Sequence, residues 1–70
     1  MAAIINDWVI IELSNFVLHG VVGHREVYTD ELLLMKDGYA VTKSAIYKLG
    51  RIDKIWSSTS RADDLIRKFT

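Results

Sequence analysis

An Asp-Gly pair between two apolar runs is the feature that most constrains the fold of this chain. Asp37-Gly38 follows Leu32-Leu33-Leu34-Met35 and precedes Tyr39-Ala40-Val41. In that context Asp-Gly is a strong signal for a two-residue hairpin turn, because both residues tolerate the positive φ angles such turns need. The pair therefore predicts strands over residues 27–35 and 39–43. A short helix over 29–35 stays open as an alternative, since Thr29 and the acids after it could begin one.

Two strands are expected before this hairpin. Residues 7–13 are rich in aromatic and β-branched side chains, which suit a half-buried sheet, and residues 1–6 are either loose or extend this strand. Ser14-Asn15 then predicts a tight turn into a second strand over residues 16–24. That strand contains Gly20 and Gly23, which indicate a bulge or a sharp bend of the sheet.

The chain after the hairpin predicts one more strand and a helix. Residues 45–49 read as a fifth strand, and residues 51–56 as a further strand or a single helical turn. Residues 61–69 carry an apolar stripe at helical spacing, with Ser60 and Asp63 as a capping pair. The fold class expected for residues 1–70, taken as a single domain, is mainly β. We expect a five-stranded antiparallel meander, forming a small SH3-like barrel or a coiled sheet, with a short C-terminal α-helix.

Composition points to self-association. The chain has 70 residues, half of them hydrophobic, and no cysteine that could form a disulfide or a thiolate metal site. A domain this small buries only about 60% of its unfolded surface, so some apolar side chains are expected at a subunit interface. The sequence therefore predicts a homo-oligomer. The apolar runs are too short to span a bilayer and no export signal is visible, so we expect a cytoplasmic protein without membrane contact.

The residues give little support for catalysis. Nine basic and nine acidic residues cancel, and no serine, histidine and carboxylate are placed by spacing as a nucleophilic site. His24 and Glu26 could share a strand face, but zinc needs three or four well-placed ligands. We therefore expect a protein that is not an enzyme and that uses no metal or cofactor.

One polar cluster stands out as a candidate ligand site. The predicted turn after residue 43 offers two hydroxyls, one cation and one aromatic ring, which are groups that hold a phosphate and a base. A second turn could meet it at one end of a small barrel. The candidate ligand-binding residues are Thr42, Lys43, Ser44 and Tyr47 with His24, Arg25 and Thr29. Each could equally be an ordinary strand or turn residue.

Nucleic acid is the alternative partner. Five basic residues fall mostly in the fourth and fifth predicted strands and in the segment after them, where they could form one basic face. They are Lys36, Lys43, Lys48, Arg51 and Lys54. The zero net charge argues against a dedicated DNA-binding domain, which usually carries a basic excess.

About half of the chain resembles a pattern found in small phage and bacterial proteins. The pattern runs Leu-x-Gly-x-Val-x-Gly-His, then a Thr-Ser segment, then Thr-x-Ser-x-x-Tyr-x-Leu-Gly. Here it is carried by residues 18–24, which are one position shorter than the first part of the pattern, by Thr29 and by residues 42–50. Asp30 stands where the pattern usually has Ser, and Ala45 where it often has Gly.

The resemblance implies an accessory protein of a phage. Such proteins include inhibitors of bacterial immunity, which either bind a defence protein or sequester a nucleotide signal as an oligomer. By analogy the chain is expected to be a non-catalytic, oligomeric anti-defence factor in the bacterial cytoplasm. Its ligand would be a small cyclic nucleotide or a host immune protein.

Overall fold

The computed structural model describes residues 2–70 and shows five strands closed into a barrel. The strands are β1 (Ala3–Glu12), β2 (Phe16–Val22), β3 (Arg25–Lys36), β4 (Tyr39–Thr42) and β5 (Ile46–Leu49). Two helices follow, α1 (Lys54–Ser57) and α2 (Ser60–Arg67). The predicted fold class, a small mainly β barrel with a short C-terminal helix, is confirmed.

Consecutive strands pair antiparallel, but the barrel closes through a parallel contact. Ala3, Ile4 and Ile5 of β1 pair with Tyr47, Lys48 and Leu49 of β5. In an up-and-down series of five strands the first and last point the same way, so their contact must be parallel. None of the helices in residues 2–70 is long and apolar enough to cross a membrane.

The turns follow their local chemistry. Asp37 and Gly38 both have positive φ, 55° and 80°, as the predicted two-residue hairpin requires. Strand β3 is a strand throughout, so the alternative helix over 29–35 is wrong. Gly23 and His24 lie in the turn between β2 and β3, rather than in a strand over 16–24, because Gly23 takes a φ of 63°.

Strand β1 is longer at its start than predicted, and the chain after β5 is helical. β1 begins at Ala3 and bends at a register shift between Asn6 and Val9, where Asp7 has a φ of 51°. Because of this bend, β1 pairs with β5 through residues 3–5 and with β2 through residues 6–12. α1 takes up part of the segment 51–56. α2 begins at Ser60 and its cap is Thr59, one residue before the predicted Ser60, since the Thr59 hydroxyl accepts from the Ala62 N–H at 3.1 Å.

The core lies between the barrel walls and α2. It contains Ile5, Trp8, Ile10, Leu18, Leu32, Met35, Ala40 and Leu65. α2 closes one end of the barrel: the Phe69 ring packs edge-on against Phe16 at 5.3 Å, and the Met35 N–H donates to the Phe69 carbonyl at 2.9 Å. The nine-residue stripe predicted for this region thus docks on the sheet, as so short a helix must.

Candidate binding surface

The hydroxyl of Thr29 makes its hydrogen bonds to backbone groups inside the barrel. Its side chain is buried, the Leu18 N–H donates to its hydroxyl oxygen at 2.9 Å, and the hydroxyl donates to the Asp30 carbonyl at 2.9 Å. β2 and β3 are out of register between Val17 and His19, so the Leu18 N–H has this hydroxyl as its partner instead of a strand carbonyl. The side chain of Thr29 therefore satisfies a backbone N–H that the bulge leaves without a strand partner. Because it is buried, it is not available to an external ligand.

Thr29→Val is expected to destabilise the chain by about 1–3 kcal/mol, because it leaves the buried Leu18 N–H without an acceptor. Thr29→Ser keeps the hydroxyl and is expected to cost about 0.8 kcal/mol for the lost methyl group. Urea denaturation followed by circular dichroism measures both. Equal stability of the wild type and the valine variant would contradict this role.

Thr42 also has a structural role. Its hydroxyl donates to the Ala45 carbonyl at 2.8 Å and accepts from the Ala45 N–H at 3.2 Å, which closes the turn between β4 and β5. Tyr47 packs against the core and pairs with Ala40. Of the four candidate residues at this turn, Thr42, Lys43, Ser44 and Tyr47, only Lys43 and Ser44 are exposed. The Lys43 ammonium lies 3.7 Å from the Glu31 carboxylate.

His24 and Arg25 are exposed at the other turn, between β2 and β3. No hydrogen bond or ion pair within residues 2–70 joins them to Lys43, Ser44 or Tyr47. Around neither turn do the described residues enclose a pocket. The structure therefore brings Thr42, Lys43 and Ser44 into one hairpin, and it leaves His24 and Arg25 in another.

Several residues that carry the resemblance are fold determinants. Gly20 faces the Ile5 side chain so closely that a Cβ there would lie 2.6 Å from Ile5 Cγ1. Gly50 packs against the Asn6 side chain, and its carbonyl accepts from the Trp8 indole N–H at 3.2 Å. With Thr29 and Thr42, these residues specify turns, bulges and the barrel seam. In this chain these four residues therefore stabilise the fold.

An exposed ion pair at the same seam, Asp7 with Arg51, shifts the pKa of both of its partners. The Arg51 guanidinium donates to the Asp7 carboxylate at 2.9 and 3.3 Å, and these hydrogen bonds hold the pKa of Asp7 below its usual value. The same bonds raise the pKa of Arg51. The Asn6 side chain accepts from the Arg51 N–H at 2.8 Å, so this pair fastens the chain after β5 to the bend of β1.

Neither His19 nor His24 is grouped with other side chains that could bind a metal ion in residues 2–70. The His19 ring stacks on the Tyr28 ring, with centroids 4.4 Å apart. Within residues 2–70 no three His, Asp or Glu side chains are grouped closely enough to hold a metal ion.

An exposed row of side chains on the outer wall was not predicted as a unit. Lys36 pairs with Tyr39, Tyr39 with Lys48, and Lys48 with Ile4, across β3, β4, β5 and β1. Directly opposed residues share a face of a sheet, about 5 Å apart. All four residues are exposed, so this row is an aromatic ring flanked by two lysines, with an isoleucine at its end.

A second, apolar row runs beside the first. Leu34 pairs with Val41, and Val41 with Ile46. Leu33, the unpaired residue of the adjacent bulge, is exposed next to it. We call the two rows with Leu33 the cationic face; its residues are Ile4, Leu33, Leu34, Lys36, Tyr39, Val41, Ile46 and Lys48.

The cationic face concentrates exposed apolar surface. Within residues 2–70 eight large hydrophobic residues are exposed, and five of them belong to this face. The face has no acidic residue, and Lys36 and Lys48 make no ion pair with any described residue. Contiguous apolar surface of this kind marks an interaction site more often than a solvated wall.

The other half of the barrel has an outer face of opposite charge. Val9, His19 and Tyr28 form one row, Val21 and Glu26 a second, and Ile11, Val17 and Glu31 a third. In the third row Val17 is buried, and the Glu31 carboxylate lies 3.7 Å from the Lys43 ammonium. Asp30 is exposed in the bulge of β3 beside them. We call this set, with Asp30, the acidic face; none of its residues is a lysine or an arginine.

Comparison of the chain with protein-family models, with curated proteins and with solved structures finds no match. The resemblance to small phage and bacterial proteins therefore stays a prediction.

Proposed function

We propose that this chain is a non-catalytic binding protein that acts through its cationic face. The observation that carries the proposal is the gathering of five exposed large apolar side chains and two unpaired lysines on one rigid wall of the barrel. The wall needs no rearrangement to bind, since its residues are held in register by the strand pairing. Rigid presentation lowers the entropy cost of association.

A protein is the partner that this chemistry fits best. The apolar row Leu34–Val41–Ile46 offers no hydrogen-bonding side chain, so it favours burial against another apolar surface. Lys36 and Lys48 at its side favour a partner with carboxylates. Together with the resemblance, this supports an anti-defence factor of a phage that blocks a host immune protein in the bacterial cytoplasm.

Nucleic acid is the second candidate, and the row Lys36–Tyr39–Lys48 favours it. Aromatic rings on a barrel wall stack on unpaired bases, and flanking lysines neutralise phosphates. The same row supports the alternative anti-defence route, in which a homo-oligomer sequesters a small cyclic nucleotide. Arg51 of the predicted basic set is engaged with Asp7 at the seam, and Lys43 lies close to Glu31.

The test compares Ile46→Asp with Ile55→Asp. Both isoleucines are exposed, 53% and 83%, but Ile46 lies on the cationic face and Ile55 on α1. We expect Ile46→Asp to weaken binding of a purified host immune protein at least about 30-fold, the threshold for an interface hot spot, and Ile55→Asp to leave it unchanged. Calorimetry measures both.

Two further readouts separate the candidates. If single-stranded nucleic acid is the ligand, replacing both Lys36 and Lys48 by glutamine makes the slope of log binding constant against log salt concentration shallower. The expected change is the contribution of about two phosphate contacts. If a cyclic nucleotide is the ligand, calorimetry with a panel of such nucleotides gives heat that Tyr39→Ala removes. Equal binding by the wild type and Ile46→Asp, for every ligand tried, would contradict a role for this face.

A further inference from the structure

The two outer faces of the barrel are complementary to each other. The cationic face presents apolar side chains with Lys36 and Lys48. The acidic face presents the exposed Tyr28 ring and half-buried aliphatic side chains with Glu26 and Asp30, and its third acid, Glu31, lies beside Lys43. Glu26 and Asp30 make no ion pair with any described residue. The chain itself therefore carries the kind of surface, apolar and acidic, that its cationic face is suited to bind.

We propose that copies of this chain associate head to tail, with the cationic face of one copy against the acidic face of the next. This inference rests on the proposed function only in using the same cationic face. The partner proposed for the cationic face is a second copy of the chain, and an unrelated acidic protein is the competing outcome.

Charge decides between the possible pairings of copies. A two-fold symmetric contact places the same patch on both sides of the interface. Two cationic faces would then bring Lys36 and Lys48 together without acids. Two acidic faces would bring Glu26 and Asp30 together, with Lys43, which already lies beside Glu31, as the nearby cation. Like charges across an interface are costly, so the cationic face on the acidic face pairs opposite charges best.

Apolar side chains on both faces contribute to the same contact. Ile46 is exposed on the cationic face, and Tyr28 is 68% exposed on the acidic face, where it stacks on His19. Tyrosine is enriched among the residues that anchor interfaces, because it buries a large ring and keeps a polar end. We expect Tyr28 of one copy to pack on the apolar row of the next.

The placement of the faces sets the form of the assembly. The acidic face lies on β2 and the adjoining parts of β1 and β3, and the cationic face lies on β4, β5 and the other parts of β1 and β3. In a closed barrel around one core we therefore expect the two outer walls to point away from each other. A head-to-tail contact between opposite walls leaves one face of each kind free at the ends. The assembly is therefore open and grows with concentration, unlike a closed ring.

The dimensions predict a weak contact. With principal extents of 31 × 24 × 22 Å, one wall of the molecule offers roughly 500–700 Å², less than the about 800 Å² per partner of a standard interface. We therefore expect assembly at high micromolar to millimolar concentration and weakening by salt, since Lys–carboxylate pairs at the rim are screened.

The test uses one variant for each face. Ile46→Asp introduces a carboxylate on the cationic face, and Tyr28→Asp removes the apolar anchor of the acidic face. Both side chains are exposed, so circular dichroism is expected to show a folded barrel for each. Sedimentation velocity of the purified wild type is expected to show a rising average mass from micromolar to millimolar concentration, and each variant alone is expected to stay a monomer.

An equimolar mixture of the two variants gives the sharpest result. Each retains the face that the other lacks, so the mixture is expected to form a dimer of the two and nothing larger. A wild type that stays monomeric at all concentrations overturns the inference. So does a mixture without dimers, or association that survives in either variant alone, which would indicate a symmetric contact.

The outcome is separable from that of the proposed function. All sedimentation is done with the purified chain and no partner, whereas partner binding is lost in Ile46→Asp and kept in Tyr28→Asp if the proposed function holds. Loss of partner binding in Ile46→Asp without any self-association leaves the proposed function standing and removes the head-to-tail contact. Head-to-tail assembly of the wild type, with no loss of partner binding in Ile46→Asp, supports the head-to-tail contact and removes the proposed function.

Discussion

Replacing Trp8 by alanine is expected to leave most of the chain unfolded at room temperature. The Trp8 side chain is buried in the core, its ring lies 6.0 Å from that of Trp56, and its indole N–H donates to the Gly50 carbonyl. Removing a buried tryptophan costs about 3–5 kcal/mol. The single hydrophobic core of a domain this small rarely supplies more than about 3–5 kcal/mol of net stability, so the change removes most or all of it.

Trp8→Phe is the matched control for that result. It keeps an aromatic ring in the core and loses the hydrogen bond to Gly50, for which about 0.5–1.5 kcal/mol is expected, plus a smaller packing loss. Urea denaturation followed by circular dichroism measures the wild type and both variants. A cooperative transition of Trp8→Ala within about 1 kcal/mol of the wild type would show that Trp8 does not hold the barrel closed.

Gly20→Ala is expected to destabilise the barrel by crowding the contact between β1 and β2. The added Cβ would lie 2.6 Å from Ile5 Cγ1 and 2.8 Å from the Asn6 carbonyl oxygen. The Asn6 carbonyl belongs to the backbone of β1, which cannot turn aside as a flexible side chain can. Overpacking of this kind costs about 1–3 kcal/mol, and the strained contact lies where β1 and β2 cross at the bend.

Gly38→Asn separates crowding from backbone conformation. Gly38 has a φ of 80° and open space where a Cβ would stand. Asparagine tolerates positive φ, so we expect a loss below about 1 kcal/mol. Thermal unfolding of the two variants under the same conditions checks the difference, and a Gly38→Asn variant less stable than Gly20→Ala would contradict the steric explanation.

Local chemistry was sufficient to predict most of the strands. Asp37-Gly38 adopts the predicted turn because only a few residue pairs accept two successive positive φ angles, and the neighbouring apolar runs then have to pair. The helix followed from Ala62 and Leu65, which are buried as the periodicity requires. Both features depend on residues close together in the sequence, where physical constraints are strongest.

The closure of the barrel could not be predicted in the same way. The parallel contact of β1 with β5 joins residues more than forty positions apart, such as Ile5 and Leu49. It depends on the bend at Asp7, a residue type that tolerates positive φ, and this bend is held by Arg51 from the segment after β5. Non-local contacts of this kind leave no periodic pattern in a single sequence.

The candidate surface was missed because bulges change which side chains face outward. Leu32, Leu33, Leu34 and Met35 form one apolar run, and nothing in their identity separates the buried pair, Leu32 and Met35, from the exposed pair between them. A register shift between Leu32 and Leu34 makes that separation. Conversely, Thr29 and Thr42 were predicted as ligand residues because hydroxyls suit phosphate, whereas their hydroxyls satisfy backbone groups within the barrel.

Photocrosslinking from position 46 tests most directly whether the chain acts through its cationic face. A photoreactive residue is placed at Ile46 in one variant and at Ile55, which is more exposed but off the face, in a second. If the face is the binding surface, irradiation of the complex crosslinks the partner, or a second copy of the chain, from position 46 and not from position 55. Equal crosslinking from both positions, or crosslinking from position 55 alone, would contradict the account.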